Sequence, residues 1–158
     1  MRDFEKVYEK VYERQVDRVL KICVLYLKNT HDAEEATQDT FIKYMRYNPV
    51  FENLDHEKAW FIKTSSNICK NLFKSSWFKK VICFDNLSNF YKEETEYQLL
   101  YKILELPGKY KMPLYLFYYE GYSTEEISKI LVLKPATVRS NLHRARNMLK
   151  SILESGDY

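Results

Sequence analysis

The sequence predicts an all-α protein of two small helical domains, the C-terminal one a helix-turn-helix, joined by a flexible linker. Three observations carry this expectation. The 158 residues include only three Gly and four Pro, while Tyr, Lys, Glu, Leu and Ile are plentiful, which favours helix. No stretch alternates apolar and polar residues with period two, so no half-buried sheet is expected. Charge is also uneven along the chain: residues 1–84 and 99–158 each carry a formal balance of +3, and residues 85–98 carry −3. An acidic, polar middle between two basic blocks is the pattern of two domains and a connector. The expected boundaries are 1–80, a linker at 81–93, and 94–158.

The first helix is expected from about Phe4 to Leu27, with Tyr12, Val16, Val19, Cys23 and Tyr26 at helical spacing. Asn29-Thr30-His31 breaks it. A second helix starts near Asp32, with Thr30 as its N-cap and Asp32, Glu34 and Glu35 complementing the positive end of the dipole. Asn48-Pro49 stops it near Tyr47, because a residue before Pro avoids the helical region. Residues 48–55 form a loop, and Asp55 caps a third helix that runs to about Lys80. After the linker comes a fourth helix, about Glu94 to Leu106, with Tyr97, Leu100, Tyr101 and Leu104 as its stripe. Pro107-Gly108 opens a segment that is helical to about Tyr119. Pro113 inside it predicts a kink or a late start.

The C-terminal third is the most informative part. Ser123 and Glu126 have the spacing of a capping box. Ile127, Ile130 and Leu131 form the apolar stripe of a short helix, Val132-Leu133-Lys134 break it, and Pro135 suits the first turn of the next. In that next helix Val138, Leu142, Ala145 and Leu149 make one buried face, and Arg139, Ser140, His143, Arg146, Asn147 and Lys150 fall opposite. No acid occurs from Lys134 to Lys150, whereas a merely solvated helix usually mixes signs. Such a helix suits the major groove, where Arg grips guanine and Asn grips adenine. The candidate duplex-reading residues are Thr137, Arg139, Ser140, His143, Arg144, Arg146 and Asn147.

Two faces in the first block carry further chemistry. In the second helix Ala33, Ala36, Thr37, Thr40, Phe41 and Tyr44 share the inner face. Asp32, Glu35 and Asp39 lie opposite, with Gln38 beside them and Ile42 also outside the stripe. Solubility accounts for such a face, and so does docking to a basic partner. In the third helix Phe61, Ile62, Ser65, Ser66, Ile68, Cys69, Leu72 and Phe73 form the core side. Lys63, Asn67, Lys70, Asn71 and Lys74 cluster on the other, and Trp60 and Phe78 project the same way. Three readings fit that cluster: single-stranded nucleic acid, a membrane surface, or a surface helix whose Trp60 is half covered by a loop.

The order of these parts resembles a bacterial RNA polymerase sigma factor of the small, two-domain extracytoplasmic-function type. Residues 32–41, DAEEATQDTF, are similar to the family's core-polymerase-binding helix, and residues 59–71, AWFIKTSSNICKN, to its promoter-melting helix. Leu106-Pro107, residues 119–127 and residues 136–146 are similar to its C-terminal region. The resemblance implies a first domain that docks on core RNA polymerase through Asp32, Glu35, Gln38, Asp39 and Ile42. That domain would capture the non-template strand of the minus-ten element through Trp60, Lys63, Asn67, Lys70, Asn71 and Lys74. The loop at 48–55 occupies the place where the family holds a flipped-out base. The second domain would read the duplex minus-thirty-five element. An anti-sigma protein is the implied third partner, beside polymerase and promoter DNA. The family often has Gly where Val132 stands. Valine is strained at positive φ, which predicts a turn built differently here. Asn141 stands where the family often has Arg.

Other classes fit less well. A stand-alone helix-turn-helix regulator with a ligand-binding or dimerising N-terminal domain needs neither the acidic face nor the lysine–aromatic face. A hydrolase or metalloenzyme is disfavoured because His31, His56 and His143 are scattered and no phosphate loop or nucleophile motif occurs. No enzyme activity, metal or cofactor is therefore expected. No apolar run is long enough to span a bilayer, so a cytoplasmic location without membrane insertion is expected. Cys23, Cys69 and Cys83 follow no ligand spacing, and Cys23 and Cys69 fit buried, reduced positions.

Overall fold

The computed structural model describes residues 2–74, 99 and 101–155. The regular elements among them are α-helices: α1 (Arg2–Leu27), α2 (Thr30–Tyr47), α3 (Leu54–Lys74), α4 (Gly108–Tyr118), α5 (Thr124–Leu131) and α6 (Pro135–Ser155). A further helical turn occupies 101–104. The chain divides into two compact units, Met1–Leu87 and Ser88–Tyr158. The expected linker at 81–93, the end of the third helix toward Lys80 and the start of the fourth lie outside the described residues, as do Phe78 and Cys83.

In the first unit α1, α2 and α3 all pack on one another. The core of α1 differs from the expected stripe. Tyr12 is 42% exposed, and Val11 and Gln15 face inward instead. From Val19 to Leu27 nearly every side chain is buried, because both partner helices cover this half. Gln15 is buried for a polar reason. The α3 carboxylate Glu57 accepts from its Nε2 at 2.9 Å, and from Arg14 Nε and Nη2 at 3.0 and 2.8 Å. The inner face of α2 is as expected: Ala33, Ala36, Thr37, Thr40, Phe41 and Tyr44 are all buried. The hydroxyls of Thr37 and Thr40 donate to the carbonyls of Ala33 and Ala36, so their burial leaves no unmet donor.

Two caps are shifted from their expected places. Asn29, not Thr30, caps α2. Its extended backbone (φ −148°, ψ 122°) aims Oδ1 at the Asp32 amide 3.1 Å away, and Thr30 is already helical and buried. Asn53, not Asp55, caps α3, accepting from the His56 amide at 2.8 Å. In both cases adjacent polar residues compete, and the one with non-helical backbone wins. At the other end of α2, Asn48 adopts the left-handed conformation (φ 42°) and its amide donates to the Tyr44 carbonyl.

The second unit is built from α4, α5 and α6, with Ile103, Leu104 and Leu106 in its core. No late start accommodates Pro113: α4 begins at Gly108 and runs through it to Tyr118. From Tyr110 to Leu116 every residue of α4 is buried, so tertiary packing holds the helix where one backbone bond is missing. The turn before α5 uses Gly121 at φ 73°. The capping box forms as the sequence predicts, with Ser123 Oγ accepting from the Glu126 amide and Glu126 Oε1 from the Ser123 amide, both at 3.1 Å. The turn after α5 overturns the expectation of a different construction. Val132 sits in the left-handed region (φ 56°, ψ 52°), and the amides of Val132 and Leu133 both donate to the Ser128 carbonyl. The closing bonds and the buried Leu131 beside it hold a β-branched residue where glycine would be relaxed.

Candidate nucleic-acid and polymerase interfaces

The α6 helix docks by one face and displays the other. Val138, Asn141, Leu142 and Ala145 are buried, and Leu149 is half-buried. Thr137, Arg139, Ser140, His143, Arg144, Arg146 and Asn147 are all exposed. The exposed side chains are not equivalent. Arg139 and Ser140 lie in the first two turns. The Asn147 side-chain nitrogen lies 3.3 Å from His143 Nε2, which links these two residues one turn apart. Arg144 sits on a flank beside Tyr110 of α4. Desolvation pushes the Tyr110 hydroxyl up, and hydrogen bonds from Lys109 and Arg144 outweigh it and hold the hydroxyl below the ordinary tyrosine range. Arg146 sits on the other flank. Its Nε donates to Tyr118 Oη at 2.7 Å, and its guanidinium carbon lies 5.2 and 5.6 Å from the Phe117 and Tyr118 ring centres. The contribution of α4 to this face was not read from the sequence. The residues that supply it, Phe117 and Tyr118, stand twenty-eight and more positions away.

On α2 the structure brings the expected acidic residues together. Glu35, Gln38, Asp39 and Ile42 are exposed and Asp32 is half-buried at the helix start. Met45, one turn beyond Ile42 and also 42% exposed, extends the same surface with a second apolar side chain. A polar-to-apolar strip of this kind suits a partner that offers both charge and a hydrophobic contact.

On α3, Lys63, Asn67, Asn71 and Lys74 are exposed and Lys70 is half-buried. Burial and the neighbouring Lys74 hold the Lys70 ammonium below the ordinary lysine range. A nearby anion would stabilise the charged form of Lys70. Trp60 is half-buried, and loop residue Phe51 covers part of it at 6.0 Å between ring centres. Phe51 also stacks on Tyr44 at 6.2 Å and meets His56 edge-on at 5.4 Å. The loop is further held by the Glu52 amide donating to His56 Nδ1 at 3.1 Å. Sequence spacing found Trp60 but missed this aromatic wall, because Phe51 belongs to a loop without periodicity and His56 to the first turn of α3, where no apolar stripe marks it. The Arg14–Glu57–Gln15 cluster lies one turn before Trp60 and ties the start of α3 to α1. Desolvation pushes the Glu57 carboxyl up, and the hydrogen bonds from Arg14 and Gln15 outweigh it and hold it below the ordinary carboxylate range.

Among the described residues no group of His, Cys, Asp and Glu is placed to hold a metal ion, and no helix is long and apolar enough to cross a membrane. Cys23 and Cys69 are free and buried.

Comparison with known proteins places these surfaces in context. The model of sigma-70 region 2 matches residues 11–79 and that of sigma-70 region 4 matches residues 97–149, so between them they account for most of the chain. The chain is 28% identical over 152 residues to the ECF RNA polymerase sigma factor SigE of Mycolicibacterium smegmatis, covering 89% of this chain and 59% of that one. It is 23% identical over 156 residues to the ECF RNA polymerase sigma factor SigW of Bacillus subtilis, covering 87% and 83%. In fold it is similar to the sigma factor RpoE of Bartonella quintana, solved with the anti-sigma factor NepR, with a TM-score of 0.66 at 20% identity over 99% of this chain and 100% of that one. It is likewise similar to CnrH, solved with the cytosolic domain of CnrY, at a TM-score of 0.68 and 15% identity, over 97% of this chain and 91% of that one. The acidic face of α2 and the lysine–aromatic face of α3 lie within the region 2 match, and α6 with its exposed basic face overlaps the region 4 match. The chain belongs to the sigma-70 family, in its extracytoplasmic-function branch.

Proposed function

We propose that this chain is a specificity subunit, not an enzyme, that binds core RNA polymerase and directs transcription initiation at its own promoters. Residues 1–80 form the polymerase-docking and minus-ten domain, 81–93 a linker, and 94–158 the minus-thirty-five domain. In this reading Asp32, Glu35, Gln38, Asp39 and Ile42 dock on a basic surface of the polymerase. Lys63, Lys70 and Lys74 neutralise phosphates of the non-template strand, and Trp60, Asn67 and Asn71 engage its unpaired bases. Thr137, Arg139, Ser140, His143, Arg144, Arg146 and Asn147 face the upstream duplex. The protein works in the cytoplasm, where the polymerase is. An anti-sigma protein is its proposed regulator, since both solved structures named above are complexes, one of them explicitly with an anti-sigma factor.

The observation that carries this reading is the presence, in one chain, of a helix with an exposed acidic face, a helix with an exposed lysine–aromatic face, and α6, which holds no acid from Pro135 to Lys150. A stand-alone regulator needs only the last. Opening a duplex must offset stacking of about 1.4 kcal/mol per base-pair step, so α3 can act only by trapping bases as they separate. The test is permanganate reactivity of thymines at a promoter selected by the holoenzyme. Reactivity is expected with chain plus core, none with either alone, and a clear loss in the Trp60→Ala, Asn67→Ala double variant. Tight, specific duplex binding by the isolated chain without opening would overturn the reading.

A further inference from the structure

We infer that Tyr118 is a positioning residue for DNA binding: it holds Arg146 so that the guanidinium presents its free edge to a phosphate of the duplex. The inference rests on the reading of α6 as the duplex-facing helix. Arg146 Nε donates to Tyr118 Oη at 2.7 Å, and the guanidinium lies over a platform of two rings, Phe117 and Tyr118, which themselves meet edge-on at 5.1 Å. Among the described residues nothing further holds the two Nη nitrogens. Tyr118 is 56% exposed and Arg146 is exposed, so the pair is not a buried structural brace. An exposed pair of this kind adds little to folding.

What it does change is the freedom of the arginine. An unrestrained Arg loses side-chain entropy when it binds, and one already held loses less. With Nε occupied, the remaining donors form the end-on fork that fits two oxygens of a phosphate. Position along the helix points the same way. Arg139 lies in the second turn of α6, where a groove-reading helix meets base edges. Arg146 is seven residues on, about 10 Å farther along the axis. It lies beside the end of α4, on the flank rather than the centre of the exposed face. A side chain there meets the backbone, not the bases.

The experiment uses the full chain and a random-sequence 30-base-pair duplex, titrated from low to moderate salt, since phosphate contacts do not depend on sequence. Arg146→Ala is expected to weaken binding and to reduce the salt slope by about one. Tyr118→Phe keeps the ring but removes the hydroxyl. It is expected to weaken binding on the order of threefold in the wild-type background and not at all in the Arg146→Ala background, because it acts through Arg146. Arg146→Lys, which keeps the charge but loses Nε and the planar fork, is expected to bind no better than the Tyr118→Phe variant. Unchanged binding by Tyr118→Phe would overturn the inference. So would additive losses in the double variant, which would place Tyr118 itself on the DNA. Arg139→Ala, assayed on a duplex that carries the upstream element selected by the holoenzyme, separates this from the underlying reading. If it weakens binding while Tyr118→Phe and Arg146→Ala do not, only the inference fails. If none of the three changes binding, or the wild-type chain does not bind at low salt, the duplex-facing reading of α6 fails with it.

Discussion

Glu57 is a carboxylate almost wholly removed from water, and its three hydrogen bonds from Arg14 and Gln15 are what make that burial tolerable. Glu57→Ala would remove the acceptor of Gln15 Nε2 and of both Arg14 nitrogens, and is expected to destabilise the first unit by about 1–3 kcal/mol. Urea denaturation followed by tryptophan fluorescence measures this unit alone, because Trp60 and Trp77 both lie before Leu87. The folded carboxyl titrates below its unfolded value. Its contribution is therefore present above the unfolded range of about 4.3 and is lost as pH falls through the lower, folded value. Glu57→Gln should flatten that acid-side loss. Val132 makes the opposite case. A valine at φ 56° is strained by about 1 kcal/mol or more. Val132→Gly is expected to raise the melting temperature of the second unit in calorimetry, with a net gain reduced by the greater chain entropy of glycine. The Glu57 cluster was not legible beforehand, and the left-handed turn at Val132 only through the glycine that the resembled family often has there. The sequence shows that a valine stands in a turn, but its φ depends on how α5 ends. It shows a Glu, an Arg and a Gln, but their meeting is a tertiary event over more than forty residues.

At the scale of elements, legibility tracked periodicity. The inner face of α2 and the buried face of α6 were readable because one side of each helix meets the core and the other meets solvent. The stripe of α1 is right at Val19 and Cys23 and wrong at Tyr12, where Val11 and Gln15 face inward instead; past Val19 two helices cover nearly every side chain, so burial there is wider than any stripe. Caps were misplaced by one or two residues at α2 and α3, where Asn29 and Asn53 stand beside Thr30 and Asp55 and only backbone dihedrals separate them. The exposed face of α2 leads to a prediction of its own. Glu35→Lys with Asp39→Lys should abolish binding to core polymerase in a pull-down while helicity and melting stay nearly unchanged, because exposed charges contribute little to stability. Normal binding by the double variant would remove this face from the docking surface.

At the scale of the molecule, each unit offers DNA only a handful of basic groups. The free chain should therefore bind promoter DNA weakly and lose affinity steeply with salt. Docked on polymerase, the second contact becomes intramolecular, and affinity should rise by orders of magnitude without a new contact. Electrophoretic mobility at two salt concentrations, with and without core, measures both effects. Arg139→Ala within the holoenzyme should cost about 1–3 kcal/mol at one or two base pairs and relax preference there, as selection from a randomised upstream element would reveal. An even loss across all sequences would make Arg139 a phosphate contact instead.

Cys23 on α1 and Cys69 on α3 are fully buried, and the hydrogen bond between the two thiols together with burial pushes Cys69 well above the ordinary thiol range. Both are thus chemically silent in the native protein, and the second unit has no cysteine at all. With Cys83 replaced by Ala, a thiol-specific reagent reacts only during the rare moments when α1 parts from α3. The chain therefore carries its own stopwatch for one half of itself, readable by mass spectrometry in a crude mixture and without denaturant. Glu57→Ala should speed that clock, and Val132→Gly should leave it untouched. A clock that responds to Val132→Gly would mean that the two halves open together.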